Sequence, residues 1–541
     1  MNALSSRALQ VQAAVVSAQQ MREIESCMFE NGMPVAALME KVGGLIARRI
    51  QALYCCDSFP QVGVLVGPGH NGADALVVAR ELWFQGYGVR IYHPFERSKP
   101  LTIAHAQFAR SLSIPFCKSV GDLQACNLLI DGLFGFGLER PLEGAIAEII
   151  GTLNTWSQPM VSIDLPSGLH TDTGEPLGIA VRATHTLCLG LWKLGLVQEA
   201  ALPWMGQAEL IDFDIPEPPI EFVLGHPAPI QRLVGAQVLG WLPLQRNPTT
   251  HKYKQGHGLL IGGSRKYAGS IILAGLGARA SGLGMLSIAV PASLKPWVVA
   301  QLPDAVVIDC VETPSGAIAE LPNNLDLERF DTIAYGPGVT TECATVLEAV
   351  LDSDRPLVLD ADGLNLLAEL GTDRLRSRKA LTILTPHAGE FRRLFPDLAT
   401  LPPLTAAQQA AQDSGAVIVY KGARTIIASP QSQNWINRTW INTESTPALA
   451  RGGSGDVLTG LVAGLLAGRF AQGSSLQPQA LLEAILSGVW WHAQAGIWAA
   501  QQQTVLGVNA ATLAESLLPA LRSQLNRSSI VSPASLEHDL H

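Results

Sequence analysis

Short apolar runs alternate with helix-like stretches along nearly the whole chain, and the alternation begins twice. The opening stretch reads as helix. Ser17 and Gln20 fit a capping box, and Met21, Ile24 and Met28, then Val35, Leu38 and Met39, follow a helical spacing. The segment QVGVLVGPGHNGADALVVARELWFQGYGVRIYHP predicts a strand at 62–66, a glycine loop, a helix over about 73–85 and a strand at 88–92. That is a β–loop–α–β unit, the building block of a parallel sheet. Further strands are expected at NLLID (127–131) and PMVSID (159–164), each ending in an aspartate before a Gly- or Pro-containing turn. Ligands of such sheets bind beyond the carboxyl ends of the strands, which is where both aspartates fall.

Between Asp212 and Ile230 the pattern stops in a proline-rich stretch, DFDIPEPPIEFVLGHPAPI, read as the domain boundary. Two α/β domains are expected, 1–222 and 223–541. Beyond the break the alternation restarts with GLLIGGS, a helix over about 269–281 and GMLSIAVP. Strands follow at TIAYGPG, PLVLDADG, LTILTPHAGE and AVIVYKG, and TIIASP with NWINRTWINT resembles a hairpin. The polar end, about 526–541, is expected to be loose.

Composition narrows the function. With 48% hydrophobic and 15% charged residues, the chain can build sizeable cores and is not disordered as a whole. A net charge of −9 offers no basic stripe, so nucleic acid is not expected as the main partner. Cys27, Cys55, Cys56, Cys117, Cys126, Cys188, Cys310 and Cys343 are scattered, which argues against zinc or a disulfide framework and for a reducing cytoplasm. LQVQAAVVSAQQ makes a poor signal peptide, and the apolar run from Leu458 to Gly468 is too short to span a bilayer, so no membrane partner is expected.

The chemistry gathers in loops. In the second half IGGS, GPG, TPHAGE and YKGART follow strand candidates, and GGSGD opens a helix. Glycines let backbone approach a ligand, and N–H groups at a helix N-terminus make an anion site. A carboxylate at Asp456, beside such a cradle, suits a base that takes a proton from a hydroxyl attacking phosphorus, with helix capping as the plainer alternative. Asp360 and Asp362 are read as a strand end and an Asx-turn.

The runs GHGLLIGGS, AYGPG, LVLDADGLNLL, LTPHAGEF, VYKGART and ALARGGSGDVLTG resemble the ADP- or ATP-dependent NAD(P)H-hydrate dehydratases, a ribokinase-like family. VGPGHNGADALVVAR, LLIDGLFGFGL and SIDLPSGL resemble the Rossmann-like NAD(P)H-hydrate epimerase domain, and the two in this order resemble the bifunctional repair enzymes. The resemblance implies a three-layer αβα N-terminal domain, a ribokinase-like C-terminal one, and repair of hydrated NADH and NADPH (NADHX and NADPHX). The first half would interconvert the R and S hydrates. The second would restore NAD(P)H from the S form, using ADP or ATP with Mg²⁺.

By position, the resemblance implies nucleotide binding by Lys421, Gly422, Ala423, Arg424, Thr425 and Gly455, hydrate contacts from Ser270, Gly338, His387 and Asp456, and catalysis by Asp456. In the first half it implies K⁺ on Asn71, Asp131 and Ser167, and Asp164 as proton carrier. His70, Asn71, Gly72, Ala73 and Asp74, with Gly135, Phe136, Gly137, Leu138, Glu139, Arg140 and Pro141, would line the hydrate site with Asp164. A homo-oligomer is expected. The first half departs from its pattern: HNGADA stands for NNGGDG, Phe136 for a threonine and Lys41 for an asparagine, so reduced or altered epimerisation is expected. Two rivals stay open, a ribokinase-like small-molecule kinase and a non-catalytic N-terminal binding module. GPGHNGAD is not GxGxxG, which disfavours a plain dehydrogenase.

Overall fold

The computed structural model describes residues 6–342, 344–431, 438–473 and 478–530. The chain divides into two compact units, Ser5–Arg232 and a second that begins at Leu233. The proline-rich stretch does more than link them. It holds the helix Glu217–Leu224, within which the expected 222/223 boundary would fall. Ile220 and Leu224 of that helix join the first unit's core.

In the first unit seven strands lie in the order Phe116–Cys117, Gly88–Tyr92, Gln61–Val66, Leu128–Gly132, Met160–Ile163, His185–Leu189 and Gln207–Ile211. All neighbours are parallel. The chain therefore runs outward from Gln61–Val66 in one direction, then returns to Leu128–Gly132 and runs outward in the other. Side chains alternate between faces. Val62, Val64, Val66 and Ile130 enter one core with Ile46 of helix Val35–Leu53 and Leu76 of helix His70–Phe84. Leu65 and Leu129 enter another with Ile150 and Leu153 of helix Gly144–Leu153. Both faces are covered, giving the Rossmann-like three-layer arrangement.

The helix expected from 73 starts at His70. Gly72 reads as loop in the sequence but sits inside the first turn, where a Cβ would run into the Gly67 carbonyl. Close backbone approach, not chain freedom, is its use there.

In the second unit ten strands run in the order Arg438–Asn442, Thr425–Ser429, Val417–Tyr420, Thr382–Leu384, Leu357–Leu359, Thr332–Tyr335, His257–Ile261, Met285–Pro291, Val306–Glu312 and Ile318–Glu320. Pairing is parallel from Val417–Tyr420 through Val306–Glu312 and antiparallel at the edges. The hairpin expected at one edge is present, although residues 432–437 of it lie outside the described ones. Strand order reverses between His257–Ile261 and Thr332–Tyr335, so the crevice of a ribokinase-like site opens there.

Two helices close this crevice. Ala268–Ala280 and Ser454–Ala471 cross so tightly that a Cβ on Gly460 would enter the Ala274 carbonyl, and one on Gly277 the Val457 carbonyl. Ser454–Ala471 is buried along most of its length, which accounts for its apolar sequence. Residues 526–530, expected to be loose, end the helix Ala510–Ile530, and 531–541 lie outside the described residues. Among the described residues no helix is long and apolar enough to cross a membrane.

Candidate active sites

One half of the second sheet delivers its functional groups from strand ends. Gly336 to Gly338 follow Thr332–Tyr335, Asp360 follows Leu357–Leu359, His387 follows Thr382–Leu384, and Lys421 follows Val417–Tyr420. Asp456 comes from the first turn of Ser454–Ala471, whose N-cap Gly453 has φ 87°. Only a glycine adopts that left-handed conformation without strain.

The centre of this site is an ion pair that the sequence reading left out. Lys421 Nζ lies 2.7 Å from Asp360 Oδ1. Thr459 Oγ1 donates to Asp360 Oδ2 at 2.7 Å. Asp360 is 2% exposed. Lys421 opposes its burial and holds its carboxyl below the usual range. Glu390 lies 3.9 Å from Lys421, accepts from the His387 N–H at 2.9 Å, and is pushed up mainly by burial. Asp362 accepts from Thr340 N–H and Asn365 Nδ2, not from the backbone N–H two residues on that an Asx-turn would use.

Asp456 sits beside this pair. Burial first, then the Asp360 charge, pushes its carboxyl up to about 7, against a hydrogen bond from Ser270 and the attraction of Lys421. A carboxyl poised near neutrality can accept a proton during reaction, which a capping aspartate has no need to do. Gly338 adjoins Ser270: a Cβ there would lie 3.2 Å from the Ser270 Cβ. Gly455 adjoins Lys421, where a Cβ would lie 3.2 Å from Nζ. Lys421 N–H donates to the Pro386 carbonyl at 2.8 Å, tying the turn 421–424 to His387. Thr425 closes that turn by donating from Oγ1 to the Gly422 carbonyl at 3.3 Å. The His387 ring is turned into its own helix start, Nδ1 accepting from Gly389 N–H at 2.9 Å.

Another residue missed in the sequence supports the helix that carries Asp456. His492, 7% exposed, bonds from Nε2 to the Ser454 carbonyl at 2.9 Å. Burial lowers its ring to about 4, so it stays neutral.

In the first unit a cavity of about 750 Å³ opens at the point where strand order reverses. His70, Asn71, Asp74, the run Gly135 to Arg140 and Asp164 line it. Gly72, Ala73 and Pro141 do not. Ala73 is fully buried and packs with Met39 and Val77. The methyl groups of HNGADA thus face protein, because Ala75 also lies in the core, against Gly132. Lys41, the third departure, is off this wall and pairs with Asp214 at 2.6 Å.

Asp164, with φ 69°, is held from several sides. Lys193, 1% exposed, places Nζ 2.5 Å from Asp164 Oδ1. The Phe136 N–H donates to Oδ2 at 3.0 Å, and the Phe136 ring lies 5.6 Å from Lys193 Nζ. The phenyl that replaces a hydroxyl therefore contacts the cation while its backbone serves the aspartate. Lys193 was legible only as one charge inside the apolar run LGLWKLGLV.

Asp131, fully buried, accepts from Ser167 N–H and Oγ, Ser162 Oγ and Leu133 N–H. No ion pair to it occurs among the described residues, and burial raises its carboxyl. Asn71 Nδ2, near the same cavity, has no hydrogen-bond partner there.

Two α/β units, each with ionisable groups at the carboxyl edge of its sheet, define a two-domain, two-site enzyme. The family model for NAD(P)H-hydrate dehydratase matches residues 258–519, and that for the YjeF-related protein N-terminus matches 35–195. The chain is 54% identical to the bifunctional NAD(P)H-hydrate repair enzyme Nnr of Thermosynechococcus vestitus, over 95% of this chain and 98% of that one. It is 51% identical to the enzyme of the same name from Synechocystis sp., over 97% and 98%. A solved ADP/ATP-dependent NAD(P)H-hydrate dehydratase from Bacillus subtilis, co-crystallised with ATP/Mg²⁺, is 30% identical, with 54% of this chain and 98% of that chain covered and a TM-score of 0.45. The chain belongs to the bifunctional NAD(P)H-hydrate repair enzymes.

Proposed function

We propose that this chain repairs NADHX and NADPHX, with epimerisation of the R and S hydrates in the first unit and nucleotide-dependent dehydration of the S hydrate in the second. The observation that carries the reading is Asp456, a half-buried carboxyl with a raised affinity for protons, bonded to Ser270 and set beside Asp360 and Lys421. Hydroxide is a poor leaving group and phosphate a good one. Asp456 takes the proton of the hydrate hydroxyl as its oxygen attacks the terminal phosphorus of ADP, and AMP departs. The ring-nitrogen lone pair then expels phosphate, and loss of a ring proton restores NAD(P)H.

The turn Lys421–Thr425 and Gly455 take the nucleotide. Ser270, Gly338 and His387 take the hydrate. The carboxylates of Asp360, Asp362, Glu390 and Asp456 outnumber the cations Lys421 and Arg424, which suits Mg²⁺ beside a diphosphate. Of these, Asp360 is committed to Lys421 and Thr459, so Glu390 would hold the ion; bound Mg²⁺ neutralises phosphate oxygens.

In the first unit Asp164 carries the proton, and the cavity residues His70, Asn71, Asp74 and Gly135 to Arg140 surround the hydrate. The buried, cation-free carboxylate of Asp131, with Ser167 and Asn71, offers the hard oxygen donors that K⁺ prefers. We place the enzyme in a reducing cytoplasm as a homo-oligomer, with neither nucleic acid nor membrane as partner; the described cysteines are all unpaired, and sedimentation checks the assembly.

The decisive experiment mixes purified protein with NADHX, Mg²⁺ and ADP or ATP and follows the NADH absorbance. Asp456→Asn should abolish recovery while nucleotide binding persists; wild-type recovery removes Asp456 from the mechanism. A stable phosphorylated product in place of NADH and free phosphate would return the kinase reading.

A further inference from the structure

The first unit's cavity holds a carboxyl that no role above uses. Glu25, from helix Ala18–Glu30, lines the same wall as Asp164 and Lys193. Among the described residues its carboxyl makes no hydrogen bond or ion pair, whereas the only buried cation nearby, Lys193, is spent on Asp164 and on the Leu189 carbonyl at 2.5 Å. The carboxyls facing this cavity thus stand in opposite surroundings: Asp164 is charge-paired at 2.5 Å, whereas Glu25 and Asp74 have no charge partner among the described residues. Environments that separate two carboxyls in this way assign one to the base and the other to the acid.

We propose that Glu25 is the acid of the first unit's reaction, giving its proton to the hydrate hydroxyl, while Asp164, paired with Lys193, acts as the base. The inference rests on the epimerase reading of this cavity. The proton passes from Glu25 to the hydroxyl oxygen, the ring C–O bond breaks, and water leaves as the ring-nitrogen lone pair forms a C=N⁺ bond. Water then adds to the opposite face of that carbon and yields a proton to Asp164. One proton returned from Asp164 to Glu25 through solvent restores the starting state.

The groups facing Glu25 set its protonation. Burial first, then Asp164, favours the protonated form, while Lys193 and Lys99 oppose it, and Glu25 in turn helps to push the neighbouring Asp74 carboxyl up. Arg22, on the same wall, is engaged by Glu139 at 2.6 Å. The balance leaves the Glu25 carboxyl near 7, so its acid form is lost as pH rises past neutrality.

The test uses the full-length enzyme and follows R-to-S conversion of NADHX chromatographically from pH 5.5 to 8.5. Wild type should lose rate above about pH 7. Glu25→Gln should lower kcat about 10²-fold or more and abolish that limb, since loss of a general acid costs 10²–10⁴. Glu25→Asp, which keeps the carboxyl, should recover part of the rate and the limb. Dehydration of S-NADHX by the same variants should be unchanged. A Glu25→Gln enzyme with wild-type kcat and pH profile overturns the inference alone, and so does a Glu25→Asp enzyme as slow as Glu25→Gln. A wild-type chain that does not interconvert the hydrates overturns the epimerase reading itself.

Discussion

Lys421 Nζ and Asp360 Oδ1 lie 2.7 Å apart at the floor of the second unit's site, with Asp360 almost wholly removed from water. Taking away one member of such a pair strands a buried charge, which costs about 3–5 kcal/mol. Lys421→Met should therefore lower the unfolding free energy of the second unit by that order, read from its urea denaturation curve. The double variant Lys421→Met/Asp360→Leu should regain much of the stability, because no bare carboxylate remains, yet show no dehydration. Recovery of both stability and activity would make the pair scaffolding alone.

The sites differ in how far the sequence revealed them. Asp456 was legible because a carboxylate beside a glycine cradle is electrostatically odd. Asp360 was not: two aspartates two residues apart at a strand end look alike, and only the fold decides that Asp362 accepts from Thr340 N–H while Asp360 points at Lys421. The strands were legible from apolar runs, since parallel strands are buried on both faces. Helix starts were less so. Gly72 reads as a breaker, although its missing side chain is what lets the turn at His70 approach Gly67. In HNGADA burial separates the departures: Ala73 and Ala75 add their methyl groups to the protein interior, while His70 stays on the cavity wall.

The crossing of Ala268–Ala280 with Ser454–Ala471 sets where Asp456 meets Ser270. Its close approach leaves no room for a methyl at Gly460 or Gly277. Gly460→Ala should cost about 1–3 kcal/mol through overpacking. It should also lower dehydration at temperatures where the protein remains folded, while R-to-S conversion in the first unit stays within twofold. Calorimetry together with both assays checks this, and an unaffected dehydration rate would mean that the crossing does not govern the catalytic geometry.

Asp131 has four hydrogen-bond donors and no cation partner among the described residues. If K⁺ supplies the missing charge, the first unit's melting temperature should rise with K⁺ and respond far less to equal ionic strength of a bulky organic cation, since a ligand that binds only the native state stabilises it by mass action. Asp131→Asn should abolish the K⁺ response. An identical response to both salts would leave only general screening.

The raised carboxyl of Asp456 makes a paired claim about activity and stability. In the native state it titrates near 7, against an ordinary value of 3.8. Between those values the native protein binds a proton that the unfolded chain has released, so this group's contribution to stability falls as pH rises from about 4 to 7, and the penalty is fully present above that. The base needs the charged form, so kcat/KM for dehydration should climb about tenfold per pH unit below 7 and level off above it. Asp456→Asn removes the charge and the base together. It should be inactive throughout, yet more stable than wild type at pH 8 by on the order of a few kcal/mol, with a smaller gain at pH 5. Denaturant unfolding at the two pH values reads the stability, and stopped-time NADH recovery reads the rate. An inactive variant that is no more stable at pH 8 than wild type would show that the protein does not hold this carboxylate at a cost, and the pH profile would then need another titrating group.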